Sequence, residues 1–185
     1  MRRIAFLLAL AGLALGPAGC GDRNMVLTVN LLSFIAPADR SGGYGPIPAG
    51  LVGTSVDLID QDVTLLPGLS SVVDVESATL RIGMRFENQT GSASGHVLVY
   101  LAPSDSTSAF GVPPLADIPV TLAPNDTVQV ATEIASSPAL AAALTQEHAR
   151  LGVRVSFDTT GSLSVLQGSE TTEELLGIVV TKRSL

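Results

Sequence analysis

Within residues 71–88 the chain places Leu80, Ile82, Met84 and Phe86 at alternate positions, with Arg81 and Arg85 between them and Thr79 just before. A period of two with one apolar and one polar side is what a strand requires when one face is buried and the other is wet. The alternation recurs at Leu27, Val29 and Leu31 in residues 24–35, and at Val97, Val99 and Leu101 in residues 96–102. It recurs again at Val128, Val130 and Ile134 in residues 127–134, and at Val153, Val155 and Phe157 in residues 152–158. Shorter strand candidates lie at 52–66, 117–123, 163–166 and 175–181. The Gly- and Ser-rich stretch 88–95 reads as a turn that makes 71–88 and 96–102 a hairpin.

One segment has helical spacing. Ser137-Pro138 offers a capping hydroxyl followed by Pro at the first helical position, and Leu140, Ala143, Leu144, Glu147, His148 and Leu151 follow at steps of three and four. Arg150-Leu151-Gly152 supplies an end, which predicts a short helix over 138–150. Thr171-Thr172-Glu173-Glu174 has the form of a capping box, but Gly177 and the β-branched run that follows favour a strand there. Residues 36–50 hold Pro37, Gly42, Gly43, Gly45, Pro46, Pro48 and Gly50, too many breakers for regular structure, so they read as a long loop. Tyr44, flanked by glycines, becomes a candidate partner contact on that loop. Residues 103–114 form a second Pro-rich loop.

These elements predict an all-β fold, an antiparallel β-sandwich of about eight to ten short strands with one short helix near residues 138–150. A β-barrel is the alternative. Residues 78–88 resemble the strand-and-Asn pattern of sandwich domains related to late-embryogenesis-abundant proteins; the resemblance covers about ten residues and implies nothing about function.

The first twenty residues differ from the rest. Arg2 and Arg3 precede an apolar run over residues 4–16, and Pro17-Ala18-Gly19-Cys20 follows. A positive start, a short apolar stretch and small residues at a cut site define an export signal, and the run falls short of the roughly 20 residues that a bilayer-spanning helix needs. Cys20 is the only cysteine, and its place directly after Ala18-Gly19 resembles the lipobox of bacterial lipoproteins. Pro17 departs from that pattern, which usually has Leu at this position. The resemblance implies that residues 1–19 are removed as a signal peptide and that Cys20 carries the acyl chains. Residues 20–23 then form a short tether, and 24–185 a single domain. Gly21 in place of Asp implies the outer membrane rather than the inner.

Charge narrows the partners. The 185 residues carry 10 basic and 17 acidic side chains, and all 17 acids lie after position 20. A chain so acidic, whose cations come as isolated pairs such as Arg81 with Arg85, excludes binding to the phosphates of nucleic acid. It also leaves a covalent anchor or an apolar segment as the means of holding a membrane, and the N-terminus supplies a candidate.

Candidate chemistry is sparse. His96 and His148 are the only histidines, without a nucleophile motif around either; His148 reads as a residue at the helix C-terminus, favoured there by the helix dipole. Asp57, Asp60 and Asp62 are the densest acidic group and weak calcium candidates, because calcium takes oxygen ligands, though the spacing is not that of an EF-hand loop. On a regular strand Asp60 and Asp62 would share a face and Asp57 would point the other way. Glu173 with Glu174, or Asp74 with Glu76, could supply the acid pair of a glycosidase. The sequence therefore leads to a non-enzymatic, lipid-anchored envelope lipoprotein without a cofactor. It would act as a protein-interaction or structural module toward another envelope protein. A small-ligand or calcium-binding module is the alternative, and an unrecognised hydrolase stands third.

Overall fold

A computed structural model of the protein describes residues 23–65 and 74–183. The export segment and Cys20 lie outside these residues. Among the described residues nine strands run in order, β1 (Arg23–Asn30), β2 (Ser41–Ile47), β3 (Thr54–Thr64), β4 (Asp74–Thr90), β5 (Ala93–Pro103), β6 (Ala116–Leu122), β7 (Asp126–Ile134), β8 (His148–Asp158) and β9 (Leu166–Arg183). One α-helix, α1 (Pro138–Leu144), separates β7 from β8.

The strands form two sheets with every pairing antiparallel. One has the order β1-β9-β4-β7, with β2 added to β9 beside β1; the other has the order β3-β8-β5-β6. β1 covers residues 176–183 of β9 and β2 covers residues 166–171. The fold is thus an open all-β sandwich. Leu80, Ile82, Met84 and Phe86 of β4 face Val97 and Val99 of β5 and Leu151, Val153, Val155 and Phe157 of β8 in one core, all buried. At about 25 cal/mol per Å² of apolar surface removed from water, this core is the main source of stability.

The predicted hairpin does not form. β4 and β5 lie in different sheets, and the chain crosses between them at Gly91, whose φ is 72°. Inward apolar alternation is the same whichever sheet a strand joins, so the pattern could not separate a hairpin from a crossing. A Cβ at residue 91 would stand 2.6 Å from the Val165 carbonyl oxygen, which leaves room only for glycine. The buried Asn88 amide donates 2.8 Å to the Gly91 carbonyl and 2.7 Å to that of Ala123, tying this crossing to the one between β6 and β7.

The helix starts where the sequence places it and ends earlier. Ser137 Oγ accepts from the Leu140 N–H at 3.1 Å, and Pro138 takes the first turn. After Leu144 the helix stops, and His148 already belongs to β8. Ala149, Leu151, Val153, Val155 and Phe157 alternate inward, and pairing with both β3 and β5 prevails over the helical spacing of 147, 148 and 151. His148 therefore gains nothing from a helix dipole. Leu144 packs on Gly177 of β9, where a Cβ would stand 3.0 Å from it. Replacing Ser137 by Ala should lower stability by about 1 kcal/mol, read from the midpoint of thermal or urea unfolding.

Three smaller differences follow. β1 ends at Asn30 and a 3₁₀ turn at Leu31–Phe34 takes over. The strands expected at 163–166 and 175–181 are one strand, β9, and Leu163 lies outside it, fully exposed. Residues 36–50 are no loop throughout, because 41–47 form β2.

Candidate binding site at the open edge of the sandwich

β2 is built from Ser-Gly-Gly-Tyr-Gly-Pro-Ile, an unusual strand that places only Tyr44 and Ile47 inside. Tyr44 is 1% exposed, so it is a core residue and not the surface contact that its glycine neighbours suggested. Its ring packs against Phe157 and Phe86 at centroid distances of 5.1 and 6.2 Å. Opposite it stands Gly168 of β9, where a Cβ would come within 2.4 Å of the Tyr44 hydroxyl; the absent side chain makes the space that the ring fills. The hydroxyl donates to Asn88 Oδ1 at 3.3 Å. Burial, with the charge of Glu170 beside it, pushes the phenol up to about 12.

The acidic segment behaves differently from the regular strand assumed above. A register shift between Asp57 and Ile59 changes the phase of β3 and turns Asp57, Asp60 and Asp62 onto the same outer face. There each meets an arginine of β8. Arg154 Nε donates to Asp57 at 2.5 Å, and Arg150 donates to Asp60 at 2.6 Å and to Asp62 at 3.4 Å. Asp60 also accepts the Ala109 N–H at 3.1 Å, which pins the turn 109–111 over the sheet. Burial raises the Asp60 carboxyl, but the bonds from Arg150 and Ala109 outweigh it and hold the group below its ordinary range. Arg154 also lies 3.9 Å over the Phe110 ring. Among the described residues no group of three or more acids, His or Cys is arranged to hold a metal, and these three aspartates are spent on arginines.

Between β2 and β3, at the edge where the two sheets part, lies a cavity of about 360 Å³. Its lining is mostly polar, with Asp39, Ser41, Asp57, Asp60 and Gln61 around it, and Val56 and Leu58 supply its apolar part. Glu170 of β9 also lines it. Its side chain follows Leu166 and Gly168 in the inward phase of β9 and is only 4% exposed. The Gly42 N–H of β2 is the carboxyl's backbone hydrogen-bond partner, and a Cβ at residue 42 would stand 2.9 Å from Oε1. Oε2 is buried and has no hydrogen-bond partner. Burial outweighs the Gly42 bond and pushes the carboxyl up to about 7. Arg40, two residues before Gly42, donates 2.9 Å to the Ile35 carbonyl.

Glu170 had no motif to mark it. Period two counted from Leu166 leads to it, but the polar run from Gln167 to Glu174 hides the inward phase. The carboxylates that did attract notice lie elsewhere: Glu173 pairs with Arg85 at 3.1 Å on the outer face, and Asp74 and Glu76 are exposed at the start of β4. His96 is bonded through Nδ1 to Asp117 at 2.5 Å on the exposed face of the second sheet, and Thr64 lies 3.4 Å from His148 at the opposite end of β8. The two histidines are not brought together.

No protein-family model and no curated protein matches the chain. Among solved structures it is similar to the infectious bursal disease virus Gx strain structure, at 14% identity and a TM-score of 0.48, covering 88% of this chain and 38% of that one. The VP2 subviral particle of the same virus gives 11% identity and a TM-score of 0.43 with the same coverage. The Tobacco streak virus coat protein gives 10% identity and a TM-score of 0.26, with 88% of each chain covered. The chain spans about two fifths of the length of the bursal disease virus chains. Likenesses of this size assign no role.

Proposed function

We propose that the protein is a lipid-anchored, non-enzymatic module of the bacterial envelope that acts by binding. The observation that carries this reading is the closeness of fold and anchor. β1 begins at Arg23, three residues after the lipobox-like Cys20, or about 10 Å of extended chain. Acyl chains at Cys20 would hold the domain against the membrane by the end where β1 begins and β9 finishes. The loops at the other end, tied together by Gly50 and Thr159, then stand about 55 Å away along β9 and expose Leu51, Val52, Leu163 and Val165. Arg81, Arg85, Arg150 and Arg154 are each paired with carboxylates, which leaves little for a polyanion.

Intact mass and N-terminal analysis of protein recovered from cell fractions tests the anchor. The expected result is a membrane-bound chain that starts at a lipid-modified Cys20 and turns into an unacylated, membrane-free form in Cys20→Ser. An unmodified mature chain starting at Gly19 or nearby would refute it. Crosslinkers placed at Val52 and Leu163 would then identify an envelope partner. A second reading, a small-ligand module, is favoured by the cavity that holds Glu170. Calcium has no such support, since Asp57, Asp60 and Asp62 are engaged by Arg154 and Arg150.

A further inference from the structure

We propose that the corner of the sandwich where β1 begins and β9 ends seats directly on the lipid bilayer, with Met25, Val26 and Val180 as the side chains that enter its interfacial layer. The inference rests on the anchor reading and adds to it a contact made by the folded domain itself.

β9 is apolar on both sides over residues 175–180. Leu175 and Val179 belong to the core, whereas Leu176, Ile178 and Val180 point the other way, onto the outer face of the first sheet, where they are half-buried. The outer face of an antiparallel sheet is ordinarily wet and polar, as it is along β4 with Arg81, Arg85 and Glu87. β1 extends the apolar surface. Val26 stands beside Val180 in register and is 63% exposed, and Met25, on the other side of the same edge strand, is 44% exposed.

The second sheet has an outer apolar patch of its own, and there the chain covers it. Leu98, Tyr100 and Ala102 of β5 face outward, and the turn at 109–111 lays Ala109 and Phe110 over them, with the Tyr100 and Phe110 rings 5.2 Å apart. Tyr100 is buried as a result. Among the described residues nothing comparable covers Val26, as its exposure shows.

Chain length and charge both point to the bilayer as the missing cover. Val26 follows Cys20 by six residues, at most about 20 Å of extended chain, so acyl chains at Cys20 bring this corner against the membrane surface. Interfacial burial needs a depth of only about 5–10 Å. Asp22, Asp74 and Glu76 are matched in number here by Arg23, Lys182 and Arg183, so the corner carries none of the chain's excess of acid. The register sets Arg23 opposite Arg183 and Asp74 opposite Lys182. An anionic leaflet therefore repels this corner less than the rest of the domain. The exposed Leu51, Val52, Leu163 and Val165 lie at the other end and are left to a protein partner.

For the test, the chain from residue 20 onward, which contains every described residue, is coupled through the Cys20 thiol to a maleimide-headgroup lipid. The nanodiscs hold three parts phosphatidylcholine to one part phosphatidylglycerol, with a lipid spin-labelled near its headgroup, and the Met, Ile, Leu and Val methyl groups are followed by NMR. The methyl signals of Met25, Val26 and Val180 should lose at least half their intensity, and those of Leu51, Val52 and Leu163 should keep theirs. Met25→Ser with Val26→Ser, both at exposed positions, should abolish the loss at Val180 while the remaining methyl shifts stay in place. Equal broadening at both ends, broadening at the far loops instead, or undiminished loss at Val180 in the double variant would overturn the docking. So would Val26 and Val180 methyl shifts that move with protein concentration in the absence of lipid, which would give the corner to a second copy. The two readings fail separately. An unacylated chain from cells would remove the anchor, and a lack of broadening under the chemical tether would remove the docking.

Discussion

Replacing Tyr44 by Ala should destabilise the protein by about 3–5 kcal/mol, the usual loss for truncating a large buried aromatic in a core that relaxes only in part. The ring fills the space above Gly168 and touches Phe86 and Phe157, so its removal opens a cavity between the two sheets. Tyr44→Phe keeps the packing and loses only the 3.3 Å hydroxyl bond to Asn88; it should cost about 1 kcal/mol. Urea unfolding of the two variants measures the difference. Were residues 36–50 a loose surface loop, both substitutions would fall within roughly 0.5 kcal/mol of wild type.

Glu170→Gln should have the opposite sign. The folded carboxyl is pushed up to about 7 from its ordinary 4.5, so the unfolded chain gives up this proton first as pH rises. Between those two values the folded state binds more protons, and stability falls with rising pH. The loss is complete above pH 7 and amounts to about 3 kcal/mol, one pKa unit being worth about 1.4 kcal/mol. Gln cannot ionise and keeps an oxygen for the Gly42 N–H. The variant should therefore be more stable than wild type by about 3 kcal/mol at pH 8 and by little at pH 5. Tyr44 on β2 stays neutral throughout this window, and Asp60 on β3 is held below its ordinary range by Arg150, so neither titrates within it. Thermal unfolding across pH 5–8 is the measurement, and a variant less stable than wild type at pH 8 would show the charge to be compensated within the chain. A carboxylate kept at such a cost is commonly found at a functional site.

Much of the fold is legible because burial on one face of a strand writes a period of two into the sequence. β4, β5, β7 and residues 152–158 of β8 follow from it directly, as does the start of α1 from Ser137-Pro138. Sheet membership does not, since Leu80 and Val97 point inward alike from either sheet. β2 escapes because its glycines and proline carry no apolar pattern, and the reason for them lies in another strand. Gly42 makes room for Glu170, and the ring of Tyr44 in turn depends on Gly168. The three aspartates of β3 mislead because a register shift beside Leu58 changes the phase, which no local count of positions reveals. Glu170 is hidden for a related cause: it is polar, and its inward phase becomes evident only once Leu166 is placed.

The pairing of β1 with β9 also determines how the domain would bear force. The two strands run antiparallel over eight paired residues, and β1 begins at the end where β9 finishes. A pull on residue 23 against a load held at the distant loops would run along both strands, and antiparallel hydrogen bonds lie across that direction. All of them would be strained together in shear instead of opening one at a time like a zip. A pull between residues 23 and 183, which leave the sheet side by side, would peel β1 away from its first pair onward. The domain should thus resist tension transmitted from residue 23 to the far loops, and yield readily to a pull applied between residues 23 and 183.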